Sequence, residues 1–287
     1  MTSPAGARRL WALGEPYHAL LYFSDESRAA VERLGIGGFW NGYFAFRAAP
    51  LGAVGAEVVT AVFYNFAPAF VARRVPAVWA LTTPDQALSG RLAAVDGAVR
   101  RVLGNDWPTS AEAREAADLA GVAAAAACTG GRPLAAANTA VPVPDEPHLA
   151  LWQALTTLRE HRGEGHNAAL LQREVDGVEA HVLAVAAGRT PRDWLMKARG
   201  WDDEAWTGAV EALTTRGWLD RGELTPEGLA MVAAIEADTD RLALGSWQEL
   251  GDARCDRLAD LLTPIRRAVV AAGDWPENNP IGAPDPS

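Results

Sequence analysis

The sequence predicts a mostly helical protein built from two related halves, the second carrying a helix-turn-helix followed by a very short β-hairpin. Three observations predict this. Long Ala-, Leu- and Val-rich segments recur with helical spacing, separated by Gly, Pro and Thr-Pro punctuation. From Asp202 to Gly228 the chain reads helix, tight turn, two short extended pieces and a new helix start. A shift of 139 residues places Gly38 on Gly177 and Trp79 on Trp218 without a gap.

In the first half, that shift lays GAEVVTAVFYN on the first helix of the helix-turn-helix and FAPAFVARRVPAVW on the second. Three residues more bring Thr83-Pro84 onto Thr225-Pro226, each opening a long helix, so the first copy would have almost no hairpin. Residues 129–147 hold four prolines and no helical period, and read as a linker. In the second half, His148–His161 reads as a helix and Val178–Ala187 as another, ended by Gly188. Pro191 sits at the first turn of a third, capped by Thr190 and stopped by Gly200. The fourth starts on Asp202 or Asp203 and buries a stripe of Ala205, Trp206, Ala209, Val210 and Leu213. WLDRGELTPEG then makes two short strands around Asp-Arg-Gly and starts a long helix, which is the winged-helix order. Final helices are expected over about 226–244 and 247–272, with a disordered or surface-draped tail from Trp275. The expected organisation is a degenerate winged-helix half (1–128), the linker (129–147), a winged-helix half (148–273) and a tail (274–287). A duplicated unit of this kind imitates a two-fold dimer within one chain, with one asymmetric interior.

Composition narrows the function. The formal charge of −10 works against phosphate neutralisation, which supplies most DNA affinity. Cys128 and Cys255 match no zinc or redox spacing and fit a reducing compartment. The opening MTSPAGARRLWALGEPYHALLYF has its apolar stretch broken by Gly14, Glu15 and Pro16, so it is not expected to act as a signal peptide. No apolar run reaches membrane-spanning length, and a cytoplasmic location is expected.

The stretch LTTRGWLDRGELTPEG resembles the MarR-type winged helix. LYFSDESRAAVERLG, GYFAFRAAPLG, FYNFAPAFVARRVP, PHLALWQALTTLREHRGEGHNAAL and TDRLALGSWQELG resemble an actinobacterial helix-turn-helix family of unknown function, over most of residues 17–250. The resemblance implies the fold and brings no catalytic residues with it. MarR-like regulators bind DNA through the recognition helix and wing, and small aromatic or phenolic ligands between their lobes.

This chain departs from that DNA-binding pattern. Its recognition helix opens on Asp202, Asp203 and Glu204, and its wing tip offers only Arg221 between Asp220 and Glu223. Acids there suit helix capping and the helix dipole, yet repel phosphate. Arg73-Arg74 is the basic pair near the equivalent helix end of the first half.

Polar residues in apolar company mark candidate sites. Arg47 in GYFAFRAAP and Glu57 in AEVVTAVFY read either as an internal ion pair or as ligand contacts. Asn65 reads as a helix cap or a ligand contact, and Glu179 as a dipole partner or an acid/base group. His161 and His166 are five residues apart across Gly163 and Gly165, so no HExxH zinc helix is present. His166, placed at the first turn of a helix over NAALL, is the acid/base candidate, a His being apt near neutral pH. His148 beside a Pro-rich turn is a weaker ligand candidate. Trp40, Tyr43 and Phe63 belong to an aromatic group suited to a planar ligand in a cavity between lobes. The reading is a small-molecule binder without DNA, metal or cofactor, as a monomer or homodimer. Its alternatives are a biosynthetic enzyme using His166 with Glu57 or Glu179 for elimination or cyclisation, and a MarR-type regulator.

Overall fold

The computed structural model describes residues 2–276 and 281. Helix starts are written in local capping chemistry. Ser3 accepts from Gly6 N–H to open α1 (Pro4–Phe23), and Ser24 closes α1 while capping α2 (Asp25–Arg33). Two short helices, α3 (Phe39–Ala48) and α4 (Ala56–Phe63), lead to α5 (Pro68–Ala72). A Thr83–Gln86 capping box then opens α6 (Pro84–Leu103), and Ser110 caps α7 (Ala111–Ala125). After α8 (Pro133–Thr139) comes α9 (Pro147–Leu171), and an Asp176–Glu179 capping box opens α10 (Gly177–Ala186).

The helix-turn-helix follows as α11 (Arg192–Arg199), a left-handed Gly200, and α12 (Asp203–Thr215) capped by Asp202. Strands β1 (Leu219–Asp220) and β2 (Glu223–Leu224) pair antiparallel, Leu219 with Leu224 and Asp220 with Glu223. Arg221 and Gly222 between them both have positive φ, the mirror-image turn that matches strand twist. Thr225 caps α13 (Pro226–Leu250), which packs so tightly that a Cβ on Gly228 would meet the Trp218 carbonyl oxygen at 2.1 Å. Gly251 separates α13 from α14 (Asp252–Ala271). Thr190 does not cap α11; Pro191 stands at that position.

The apolar core lies in two clusters. The larger draws on α1 to α7, the first part of α9, the end of α13 and α14. The smaller holds Ala169 and Leu170 from the end of α9, then α10, α12, Leu219 and Ile235 of α13. The helix-turn-helix with its hairpin is thus a small unit on a large helical body, and α9 and α13 run through both. The cores part within these two helices and not at residues 129–147. Those residues contain α8, whose Leu134 and Ala135 are buried and donate their N–H groups to Glu164 at 2.8 Å each. Pro133 marks the first helical turn, where no N–H is needed, and does not break the element.

Helix α9 also runs further than His161. Two glycines in REHRGEGHN cost helix propensity, about 1 kcal/mol each, but a Cβ on Gly165 would stand 3.2 Å from Leu242 Cβ, so the glycine lets α13 approach. His166 therefore lies inside a continuous helix, not at the first turn of a new one. At the C-terminus Trp275 packs edge-on against Phe23 and Asp274 pairs with Arg101, so the start of the expected tail is docked; the rest of it, apart from Ile281, lies outside the described residues. Among the described residues no single helix is long and apolar enough to cross a membrane. The one bent pair with the composition for it, Phe39–Leu51 with Ala56–Phe63, turns by 93° and supplies the aromatic wall described next.

A candidate ligand cavity

A cavity of about 540 Å³ lies between the body and the helix-turn-helix unit. Its walls come from α1, α3, α4 and α9 on one side and α10, α11 and α13 on the other.

One wall is aromatic. Trp40, Tyr43 and Arg47 share a face of α3 at helical spacing, and α4 ends in Phe63 before Tyr64, whose φ of 52° turns the chain so that Asn65 and Phe66 reach the same space. The Trp40 ring meets Tyr43, Phe66 and Phe70 edge-on at 5.5, 5.9 and 5.3 Å between centroids, and Tyr43 lies 5.6 Å from Phe66. Edge-to-face packing fixes these rings as one apolar wall of the cavity.

The floor is ionic. Glu160, 1% exposed, accepts from Arg47 Nε and Nη2 at 2.8 and 2.9 Å and from Arg159 Nη1 at 2.9 Å. The two guanidiniums hold its carboxyl well below the usual range against the burial that would raise it. Arg159 Nε reaches Glu15 at 3.3 Å, and Trp11 also donates to Glu15; burial dominates there and pushes that carboxyl up. Arg47 donates to Tyr43 Oη at 3.0 Å and lies 4.0 Å over the Phe63 ring. At the α13 side, Arg8 and Arg162 both bind Asp240, at 2.6 and 2.7 Å, and Arg189 reaches Glu236 at 3.5 Å.

A seam of backbone-directed bonds joins the two walls. Asn65 C=O accepts from His181 Nε2 at 2.9 Å and from Trp201 Nε1 at 3.0 Å, and Ala67 N–H donates to Arg199 C=O at 2.9 Å. Because that carbonyl only accepts, His181 carries its proton on Nε2, and burial drives its pKa down to about 3. Gly177 makes the seam possible: a Cβ there would stand 2.5 Å from Tyr64 C=O. His166 Nδ1 lies 2.9 Å from Thr239 Oγ1, whose own proton goes to Ile235 C=O at 2.8 Å. His166 therefore donates through Nδ1 and keeps the Nε2 lone pair, but burial lowers its pKa to about 4, away from the neutral range expected of a base.

Of the residues singled out from sequence, Trp40, Tyr43, Arg47, Phe63, Asn65 and His166 line this one cavity. Three do not. Glu57 is exposed at the first turn of α4, and the partner of Arg47 is Glu160. His148 is buried at the start of α9, with Nε2 2.7 Å from Asp96. Glu179 serves the capping box of α10 and pairs with Arg216 at 3.2 Å. Asn65 contributes its carbonyl and caps no helix through its side chain. Phe66, part of the same aromatic group in the sequence, lines the cavity as well; sequence reasoning passed over Arg199 and left Glu160 in the polar cluster REHRGEGHN, since its pairing needed the continuity of α9.

On the outer surface, Asp202 caps α12, Asp203 pairs with Arg192 at 2.6 Å, and Glu204 is exposed. Arg221 at the hairpin tip is exposed beside Asp220. Among the described residues no three His, Cys, Asp or Glu side chains are grouped to hold a metal ion.

Fold and site together define a mostly helical protein in which a helix-turn-helix unit closes a mixed aromatic and ionic cavity. The chain belongs to a helix-turn-helix family whose model matches residues 7–276. Comparison with curated proteins gives no match, and neither does comparison with solved structures.

Proposed function

We propose that this protein binds a small planar molecule in the cavity between its body and its helix-turn-helix unit, on a duplicated winged-helix scaffold that no longer contacts DNA. The observation that carries the reading is the cavity itself, whose volume of about 540 Å³ suits a metabolite-sized ligand. Rigid rings supply apolar area and a satisfied ionic floor supplies orientation, the usual division of labour in such sites.

Duplication is supported by paired features. Helix α1 packs along α14 as α7 packs along α9. Thr83-Pro84 and Thr225-Pro226 open α6 and α13, which end on Gly104 (φ 88°, ψ 159°) and Gly251 (φ 83°, ψ 157°). The 3-10 turn Ala77–Ala80 stands where the second copy has its hairpin, and α5 has five residues against thirteen in α12, so the first copy is the degenerate one. Loss of DNA contact is supported by the acids at the start of α12 and the single arginine of the wing. A catalytic role has less behind it, since His166 is held near pKa 4 and Glu57 and Glu179 lie elsewhere.

The test pairs two measurements on the full chain. Thermal shift against a panel of planar aromatic compounds should give saturable stabilisation, and mutation of Trp40 to Ala should weaken it. A panel that never stabilises the protein sinks the ligand reading. Titration with random duplex DNA at low salt should show no sub-micromolar binding; tight binding with a steep salt slope would restore the regulator reading.

A further inference from the structure

Six guanidiniums line the cavity, and five are held by carboxylates: Arg47 and Arg159 by Glu160, Arg8 and Arg162 by Asp240, and Arg189 by Glu236. The sixth, Arg199, is not. Its side chain makes no hydrogen bond or ion pair among the described residues, its Nε is buried without a partner, and only 6% of the residue is exposed. One face of the guanidinium lies 4.5 Å over the Phe66 ring, which leaves its N–H edge as the unused part. An isolated buried charge is costly, and proteins ordinarily pair it or neutralise it. Arginine does not neutralise near neutral pH, and no counter-charge for it stands among the described residues.

Building on the cavity reading above, we propose that Arg199 is the anchor for a monoanionic ligand, a planar organic carboxylate whose two oxygens meet the N–H edge of Arg199 while its apolar part lies against Trp40 and Phe66. A carboxylate is favoured over a dianion because one guanidinium has an unused N–H edge among the described residues, while the five others already donate to carboxylates. The planar fork of a guanidinium also matches two carboxylate oxygens. Burial pushes the Arg199 pKa down to about 10, which records the cost of leaving it unpaired and still keeps it charged at neutral pH. The sequence offered little warning: Arg199 sits before the helix-stopping Gly200 and looks like any last-turn arginine.

Calorimetry on the full chain with 1-naphthoate and its neutral counterpart 1-naphthamide tests this. The carboxylate is expected to bind about 10- to 100-fold more tightly, the range for a charge-assisted hydrogen-bonded pair. Arg199→Gln should erase that preference by weakening naphthoate far more than naphthamide, while Arg199→Lys, keeping charge without the fork, should retain part of it. Because Arg199→Gln removes an unpaired buried charge, its melting temperature should match or exceed that of the natural chain. Equal affinity for the two probes, or a preference that survives Arg199→Gln, overturns the anchor and leaves the cavity reading standing. Binding of neither probe overturns both. Displacement of naphthoate by an equal concentration of inorganic phosphate would overturn the carboxylate assignment in favour of a bare anion site.

Discussion

Replacing Glu160 by Gln asks how much of the fold hangs on the ionic floor. The carboxylate is 1% exposed and receives three charge-assisted bonds, from Arg47 at 2.8 and 2.9 Å and from Arg159 at 2.9 Å. Gln keeps the shape but offers one acceptor and no charge. Arg47 is then left uncompensated, and Arg159 keeps only Glu15 at 3.3 Å. Breaking one partner out of a buried pair costs about 3–5 kcal/mol, a large share of the roughly 5–15 kcal/mol by which folded proteins are stable. At about 2–4 °C per kcal/mol, the melting temperature should fall by roughly 6–20 °C. Urea unfolding followed by circular dichroism measures the loss directly. Arg47→Met and the double variant complete the cycle, and the double should cost clearly less than the sum of the singles, because the second change removes a charge the first left stranded. A loss under about 1 kcal/mol, or strict additivity, would show that solvent reaches the floor and that the cluster is no buried network.

Acid should unfold the protein in two stages. Burial lowers His161 and His166 to about 4 and His181 to about 3, so each is neutral when folded and protonates first in the unfolded chain. Stability should therefore be flat above the unfolded value near 6.5 and fall below it, by up to about 1.4 kcal/mol per pH unit for each histidine, until the folded values are reached. Glu160, depressed when folded, adds a second loss below the unfolded glutamate value near 4.3. Unfolding midpoints at pH 7, 5.5 and 4.5 check the first stage, and Glu160→Gln should flatten only the second. Gly177→Ala should cost more than the helix propensity it gains, since its Cβ would press within 2.5 Å of Tyr64 C=O. A stabilised variant by the same urea assay would mean that the seam yields freely. Glu57→Gln, on the exposed face of α4, should move stability by less than about 0.5 kcal/mol, and a larger change would reopen its link to the cavity.

What could be read from the sequence was written in neighbouring residues. Thr225-Pro226 opening α13, Asp202 capping α12, Gly200 stopping α11 and the Asp-Arg-Gly hairpin are each decided within a few positions. The aromatic wall was legible because α3 carries Trp40, Tyr43 and Arg47 at helical spacing. What failed depended on contacts far away in the chain. Gly165 looks like a breaker until α13 is seen to need the space at Leu242. Glu57 looked buried because its neighbours are apolar, yet only Val59, Val62 and Phe63 of α4 turn inward. Glu160 acquires Arg47 as a partner across 113 residues, and Arg199 matters because no such partner stands among the described residues.

The same distinction bears on why a duplicated chain would be useful. Two identical winged helices related by a two-fold axis must present the same residues on both sides of any shared cavity. On the duplication proposed above, copies joined in one chain are free to differ: the first would supply Trp40, Tyr43 and Phe63, and the second His181, Arg199 and, through α13, Glu236. The asymmetric ligand proposed above, with an apolar body and a single charged end, would use that division, with rings on one wall and the Arg199 guanidinium reaching from the other. On that proposal, a degenerate first helix-turn-helix fits the same account. Its shortened α5 and missing hairpin would spoil a DNA reader, but the residues that follow α4 are what carry Phe66 and Asn65 to the cavity. Divergence between the copies would then have been retained on the inner surface, with nothing to preserve a basic outer one.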